Sequence, residues 1–176
     1  MIVIVDNGKG AEQIMKMVRG QKAVAKPDKV DMKASAFILS DGDMKNQKHN
    51  EKIIKSTEKP LLAIGTGSLF LAAAYGAKIS KGKLEKQSRV KIDRPCALTL
   101  DMKKMFVAFN GCGAMIDDVP ENFTVFASSK YPEIIGEMEK PFFGVHFNPE
   151  MGADGMKIID NFVKFAEVWG KYNRGK

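Results

Sequence analysis

The sequence predicts a three-layer α/β sandwich built on a mainly parallel central sheet with an antiparallel extension. Three observations predict it. Short aliphatic runs without alternation, suited to strands buried on both faces, stand at Ile2 to Val5, Ala36 to Leu39 and Leu61 to Ile64. Each run ends in a Gly- or Asp-containing turn and is followed by a segment with helical spacing, the order that places helices on both faces of a parallel sheet. The middle of the chain departs from this rhythm, with strand-like segments, turn signals and little helix.

Ile2-Val3-Ile4-Val5 runs into Asp6-Asn7-Gly8, a tight turn, and Ala11 to Arg19 then places Ile14, Met17 and Val18 on one helical face. Ala36-Phe37-Ile38-Leu39 is the second strand, closed by Ser40-Asp41-Gly42-Asp43, and Asn50 to Thr57 follows as a helix. Pro60 introduces the third strand, which passes through Gly65-Thr66-Gly67-Ser68 into an apolar helix from Leu69 to Tyr75. Ile79 to Ile92, Met105 to Phe109 and Phe123 to Ala127 read as the antiparallel extension. Phe142 to Phe147 is the last strand, and Gly155 to Trp169 closes the chain as an amphipathic helix through Ile158, Ile159, Phe162, Phe165 and Ala166. Met15, Met17 and the other methionines read as core filler.

The 176 residues read as one domain, 1 to 176, and their 44% hydrophobic and 28% charged content excludes disordered and collagen-like classes. No apolar stretch is long enough for a membrane span and no secretory signal opens the chain, so a cytoplasmic protein with no membrane partner is expected. Cys96 and Cys112 lack the number and spacing of a disulfide framework or a zinc site, so reduced thiols are expected, with no metal and no cofactor.

The formal charge is +7, densest over residues 78 to 91, where Lys78, Lys81, Lys83, Lys86, Arg89 and Lys91 face only Glu85. Such a segment suits an acidic or phosphate-bearing partner. A solvated lysine-rich face is favoured over a nucleic-acid surface, because no aromatic residues interleave with the charges. His49, amid Lys45 to Lys52, reads as a surface residue.

In a sheet of this kind ligands sit beyond the carboxyl ends of the strands. Three segments emerge there: Ser40 to Asp43, Gly65 to Ser68, and His146-Phe147-Asn148-Pro149-Glu150. Ala63-Ile64-Gly65-Thr66-Gly67 has the outline of a nucleophile elbow, whose sharp turn needs small neighbours around a strained centre. In an active elbow that centre is Ser or Cys; here it is Gly65.

These residues carry a resemblance. The chain resembles the class I glutamine amidotransferases, and among them the glutaminase subunit of GMP synthetase. Met1-Ile2-Val3-Ile4-Val5-Asp6-Asn7-Gly8 is similar to that subunit's first strand and turn. Ser40-Asp41-Gly42-Asp43 stands where the family has S-G-G-P, and Lys59-Pro60-Leu61-Leu62-Ala63-Ile64-Gly65-Thr66-Gly67 where it has K-P-x-L-G-I-C-x-G. Gly144-Val145-His146-Phe147-Asn148-Pro149-Glu150 matches G-V-Q-F-H-P-E, and the Gly155 helix carries Asn161-Phe162 as in the family. The resemblance spans the chain and implies a flavodoxin-like fold.

It also implies a chemistry that the residues do not supply. The family attacks the glutamine amide with a cysteine, uses the histidine of H-P-E as base and the glutamate to orient it. Carried across, these positions are Gly65, Asn148 and Glu150, so no catalytic residue is expected at them. Glycine tolerates the strained centre and the Asn148 amide can hydrogen-bond Glu150 without titrating. Asp41 and Asp43 replace a glycine and the proline of the oxyanion loop, where a nearby carboxylate opposes a developing oxyanion. Gln87 and Ser88 stand where the family has an E-Y-G-like stretch, and Phe109-Asn110-Gly111-Cys112-Gly113 replaces its W-x-S-H-x-D-like loop.

The leading expectation is therefore a catalytically inactive amidotransferase-like protein that acts as a binding or regulatory module, its implied partner an ATP-pyrophosphatase or similar synthetase subunit. Two alternatives stay open. One is a divergent, active glutamine amidotransferase supplying ammonia for GMP synthesis, or a hydrolase with a relocated nucleophile. For relocation, Cys112 with His146 is the one thiol and imidazole pairing that meets near the site, although packing roles are the simpler reading of both. The other is a phosphate- or nucleic-acid-binding protein using residues 78 to 91. Gly42, Thr66, Gly67 and Ser68 are the candidate ligand contacts, since N–H groups and a hydroxyl at a helix start can bind an anion. Against that stands a vestigial elbow whose glycines serve close approach of helix and strand.

Overall fold

A computed structural model describes residues 1 to 82 and 85 to 173. Eleven strands and four α-helices follow along the chain: β1 (Ile2–Val5), α1 (Ala11–Met17), β2 (Lys22–Ala25), β3 (Ala36–Leu39), α2 (Gln47–Ser56), β4 (Leu61–Ile64), α3 (Thr66–Ala74), β5 (Ile79–Lys81), β6 (Gln87–Ile92), β7 (Met105–Phe109), β8 (Ala114–Ile116), β9 (Phe123–Ser128), β10 (Pro132–Glu137), β11 (Phe142–Val145) and α4 (Ala153–Tyr172). Nine strands form one sheet in the order β2-β1-β3-β4-β11-β10-β9-β6-β7. Pairing is parallel from β2 through β11 and antiparallel from β11 to β7. The mainly parallel sandwich and its antiparallel extension are those the sequence predicts.

Alternation explains why the aliphatic runs are continuous. Ile2, Ile4, Ile38, Leu62 and Ile64 face the layer of α1 and α4, where Ile14, Ile158, Ile159 and Phe162 meet them. Val3, Val5, Phe37, Leu39, Leu61 and Ala63 face α2 and α3, against Ile53, Ile54, Leu69 and Phe70. A strand with helices on both sides has no solvent face on which to place polar residues.

Several expectations need correction. β5 does not extend the main sheet; it pairs with β8 in a separate two-stranded ribbon. β2, β8 and β10 are strands beyond those expected, and α3 begins at Thr66, three residues before the expected Leu69. The last strand stops at Val145, leaving His146 just beyond it. The methionines are not all core filler: Met15, Met17 and Met102 pack against the core, whereas Met1, Met32, Met44, Met105, Met138, Met151 and Met156 are exposed. Among the described residues no helix is long and apolar enough to cross a membrane.

Candidate functional site

The carboxyl ends of β1, β3, β4 and β11 lie side by side in the sheet, and their following loops converge. The β4–α3 junction is the sharp turn that the sequence outlines. Gly65 has φ 55° and ψ −118°, a backbone position that side chains disfavour. Gly67 lets α3 start directly on the sheet, since a Cβ there would stand 2.7 Å from the Leu39 carbonyl oxygen. Ser68 is turned inward, its hydroxyl donating to the Gly65 carbonyl at 2.7 Å.

The β3 loop is fixed from below by buried amides. Asn7 donates from its backbone to Ser40 Oγ at 3.0 Å and from Nδ2 to the Ser40 carbonyl at 2.9 Å, while Asn50 Nδ2 donates to Asn7 Oδ1 at 2.7 Å. Gly42 passes so close that a Cβ would fall 1.9 Å from the Asn7 carbonyl oxygen. Nothing local in the sequence signals this network, where Asn7 is the middle of a turn and Asn50 the polar start of a helix.

Asp41, held by that loop and only 1% exposed, points its carboxylate at the elbow. Oδ1 accepts from the backbone N–H of Gly42 at 2.9 Å, from the backbone N–H of Thr66 at 2.9 Å and from Thr66 Oγ1 at 2.6 Å. Oδ2 accepts from Asn148 Nδ2 at 3.3 Å. A Cβ on Gly65 would approach Asp41 Cγ and Oδ1 to 2.8 Å, so the carboxylate also takes the space of a side chain at the elbow's centre. The N–H groups of Gly42 and Thr66 and the Thr66 hydroxyl thus all serve the chain's own carboxylate.

Asn148, 3% exposed, joins the neighbouring groups. Its Nδ2 donates to Glu150 Oε1 at 3.0 Å as well as to Asp41, and its Oδ1 accepts the Gly111 N–H at 2.7 Å. Burial pushes the Glu150 carboxyl above its ordinary value of 4.5; the Asn148 hydrogen bond opposes the shift, and the nearby Asp41 charge adds to it.

Cys112 and His146, far apart in sequence, come together beside this cluster. Both reach the Ala114 carbonyl oxygen, which lies 2.7 Å from His146 Nε2 and 3.7 Å from Cys112 Sγ. Cys112 lines a cavity of about 620 Å³ together with Lys9, Gly42, Thr66, Lys81 and Gly111. His146 is buried.

A family model for class I glutamine amidotransferases matches residues 3–165. The chain belongs to this family. Among relatives, it is 26% identical to a glutamine-hydrolyzing GMP synthase subunit of Methanococcus aeolicus, over 97% of this chain and all of that protein. It is 27% identical to the protein of the same name from Methanocaldococcus jannaschii, over 93% and 96% of the two chains. The crystal structure of a GMP synthase subunit protein from Thermoplasma acidophilum superposes with a TM-score of 0.89 at 20% identity, covering 98% and 96%. A glutamine amidotransferase of Thermotoga maritima gives 0.72 at 16%, covering 99% and 85%.

Gly65 and Asn148, which the resemblance sets against the family's nucleophile and base, are here a residue without a side chain and an amide that donates to Glu150. The N–H groups of Thr66, after the centre of the turn, and of Gly42, in the β3 loop, are bonded to Asp41. Elsewhere the sequence readings place surface groups at the surface: His49, Lys78, Lys81, Lys86, Arg89 and Lys91 are all exposed, and Lys83 lies outside the described residues. Both cysteines are free.

Proposed function

We propose that this chain is an amidotransferase domain whose glutamine-hydrolysing centre is closed by its own Asp41, and that it serves as a binding or regulatory module for an amidating synthetase subunit. One observation carries the first part: Asp41 Oδ1 accepts the backbone N–H groups of Thr66 and Gly42, each at 2.9 Å. Glutamine hydrolysis develops negative charge on the former carbonyl oxygen, and a single lost oxyanion donor typically costs about 10²–10³ in rate. Here both donors are engaged. A second anion about 4 Å from the carboxylate also meets roughly 4 kcal/mol of repulsion at an effective dielectric near 20. Expelling Asp41 would break four hydrogen bonds at a buried position. The absence of a side chain at Gly65 and of a basic group at Asn148 supports the same reading.

The second part is supported by kinship: the relatives are named as subunits of GMP synthase, and the likeness covers nearly the whole of both chains. The test combines the two. The purified protein is assayed for ammonia release from glutamine, alone and with an ATP-pyrophosphatase-type synthetase subunit, while affinity purification from the native cell asks whether such a subunit co-elutes. No ammonia and a co-eluting synthetase are expected. Glutamine turnover that disappears in Cys112→Ala would overturn the inactive reading, and a purification without a synthetase subunit would overturn the partner.

A further inference from the structure

One group of buried, chemically capable side chains is left unused by that reading. Glu133, on β10 and 2% exposed, accepts at Oε1 from Ser129 Oγ at 2.6 Å and from Ser88 Oγ at 3.3 Å. Its Oε2 faces His146 Nδ1 at 3.8 Å, and neither of these two buried atoms has a hydrogen-bond partner. The other ring nitrogen, Nε2, donates to the Ala114 carbonyl, because a carbonyl oxygen only accepts. With Nε2–H so fixed, a proton on Nδ1 makes the ring an imidazolium facing the Glu133 carboxylate. Cys112 reaches the same carbonyl oxygen, its Sγ 3.7 Å from it and 3.7 Å from Thr66 Oγ1, beside the cavity.

We propose that Cys112, His146 and Glu133 form a reactive-thiol site, a thiolate held by an imidazolium that a buried carboxylate orients, opening on the cavity toward small carboxylate-bearing electrophiles. The inference goes beyond the proposed function and does not depend on it. Burial works against the Cys112 thiolate, yet the nearby His146 and the thiol's other neighbours outweigh it and draw the thiol below its ordinary value. Burial likewise disfavours the charged ring, and the nearby Cys112, the bond to Ala114 and the Glu133 charge raise it nonetheless. Cys96, with no imidazole beside it, is pushed up by burial. The charged groups facing the site are Glu133 from β10, Asp41 behind Thr66, Glu150 behind Asn148, and Lys9 and Lys81 on the cavity wall. Asp41 is held by four donors, which leaves the two lysines to favour an anionic electrophile. Among the described residues no three such groups converge as metal ligands would.

The step is a displacement at carbon. With iodoacetate, the Cys112 sulfur forms the S–C bond, the C–I bond breaks, iodide leaves and the thiol's proton passes to solvent. Alkylation of the native full chain by iodoacetate and by iodoacetamide is followed by peptide mass mapping from pH 5.5 to 9, with Cys96 as internal control. An ordinary thiol loses about tenfold in rate per pH unit below its pKa near 8.5. Cys112 is expected to hold its rate below that point, to exceed Cys96 by at least about tenfold at pH 6.5, and to prefer iodoacetate. His146→Gln is expected to return the break to the ordinary thiol range, with Glu133→Gln, which retains an acceptor for Ser129, moving it part of the way. Should Cys112 in the wild-type protein label no faster than Cys96 at pH 6.5, or follow the pH profile of an ordinary thiol, the site is refuted without recourse to any variant. An inert Cys112 leaves the proposed function standing, whereas Cys112-dependent ammonia release removes that reading and keeps this site.

Discussion

If Asp41 occupies the nucleophile's space, substitutions at positions 41 and 65 must be energetically coupled. Gly65→Cys places a Cβ 2.8 Å from Asp41 Cγ and Oδ1 and 3.0 Å from its Cβ, while the carboxylate is pinned by Gly42, Thr66 and Asn148. Overpacking of this kind costs about 2 kcal/mol, and a side chain at φ 55° adds about 2 kcal/mol of backbone strain. Asp41→Gly leaves two N–H groups and a hydroxyl without their acceptor, a loss of about 2–3 kcal/mol where cavity water takes part of their bonding. In the double variant the clash is gone and the strain remains. The pair is therefore expected to be about 2 kcal/mol less destabilised than the sum of the single changes, a coupling that distant sites do not show. Urea denaturation of the four proteins at pH 7 measures it. Additivity within about 0.5 kcal/mol would sink the claim that the carboxylate fills this space. The same geometry sets the order of any repair: Gly65→Cys with Asn148→His still carries Asp41 on the oxyanion donors, so only the triple variant with Asp41→Gly should capture a glutamine-mimicking chloroketone at position 65.

Two further outcomes follow from the packing around this centre. The Glu150 carboxyl titrates above its ordinary value in the folded protein, so its contribution to stability is present below pH 4.5 and is lost as pH rises through the folded value. Glu150→Gln, which keeps an oxygen for Asn148 and removes the charge near Asp41, is expected to gain on the wild type between pH 4.5 and pH 7; parallel melting curves against pH would contradict this. Gly155→Ala should destabilise by more than about 2 kcal/mol although alanine is the better helix former by about 1 kcal/mol, because the new Cβ would stand 2.3 Å from the Pro149 carbonyl oxygen. A neutral or raised urea midpoint would refute that contact.

Where a run is apolar and buried on both faces, as in β1, β3 and β4, residue type alone marks it as a strand. β2 lacks that signal because Lys22-Ala23-Val24-Ala25 lies at the sheet edge, where one side needs little apolar surface. In β10 the signal is broken by Pro132, Glu133 and Gly136, and two of these interruptions have a visible cause in three dimensions. Glu133 serves His146 and two serines, and a Cβ at Gly136 would meet the Phe126 ring at 2.7 Å. The start of α3 is hidden since Gly67 reads locally as a helix breaker, while its real constraint is the approach to Leu39. For the site, the convergence of the loops that carry Gly65 and Asn148 is legible from motif order. Which atom fills the elbow is not, because the bond from Asp41 to Thr66 spans 25 positions and depends on the pairing of β3 with β4.

The departures from the family's motifs make sense together better than singly. Removing a side chain at Gly65 creates room next to two N–H donors, and an unfilled cradle of that kind exposes buried polar groups that need a partner. Asp41 supplies the partner and brings a negative charge within reach of Glu150. Asn148 then resolves the difficulty this creates: one Nδ2 group donates to both carboxylates, at 3.3 and 3.0 Å, while Oδ1 takes the Gly111 N–H at 2.7 Å. A neutral carboxamide does this at every pH, whereas an imidazole's hydrogen-bonding roles change as it titrates. The three residues thus form a closed set in which each change supplies what another lacks, and the elbow's backbone is preserved by it. Thr66 marks the boundary of that set, since its hydroxyl donates to Asp41 at 2.6 Å and borders the Cys112 sulfur at 3.7 Å. Beyond it lie the Cys112 thiol and the His146 ring, which share the Ala114 carbonyl oxygen, and the Glu133 carboxyl 3.8 Å from that ring.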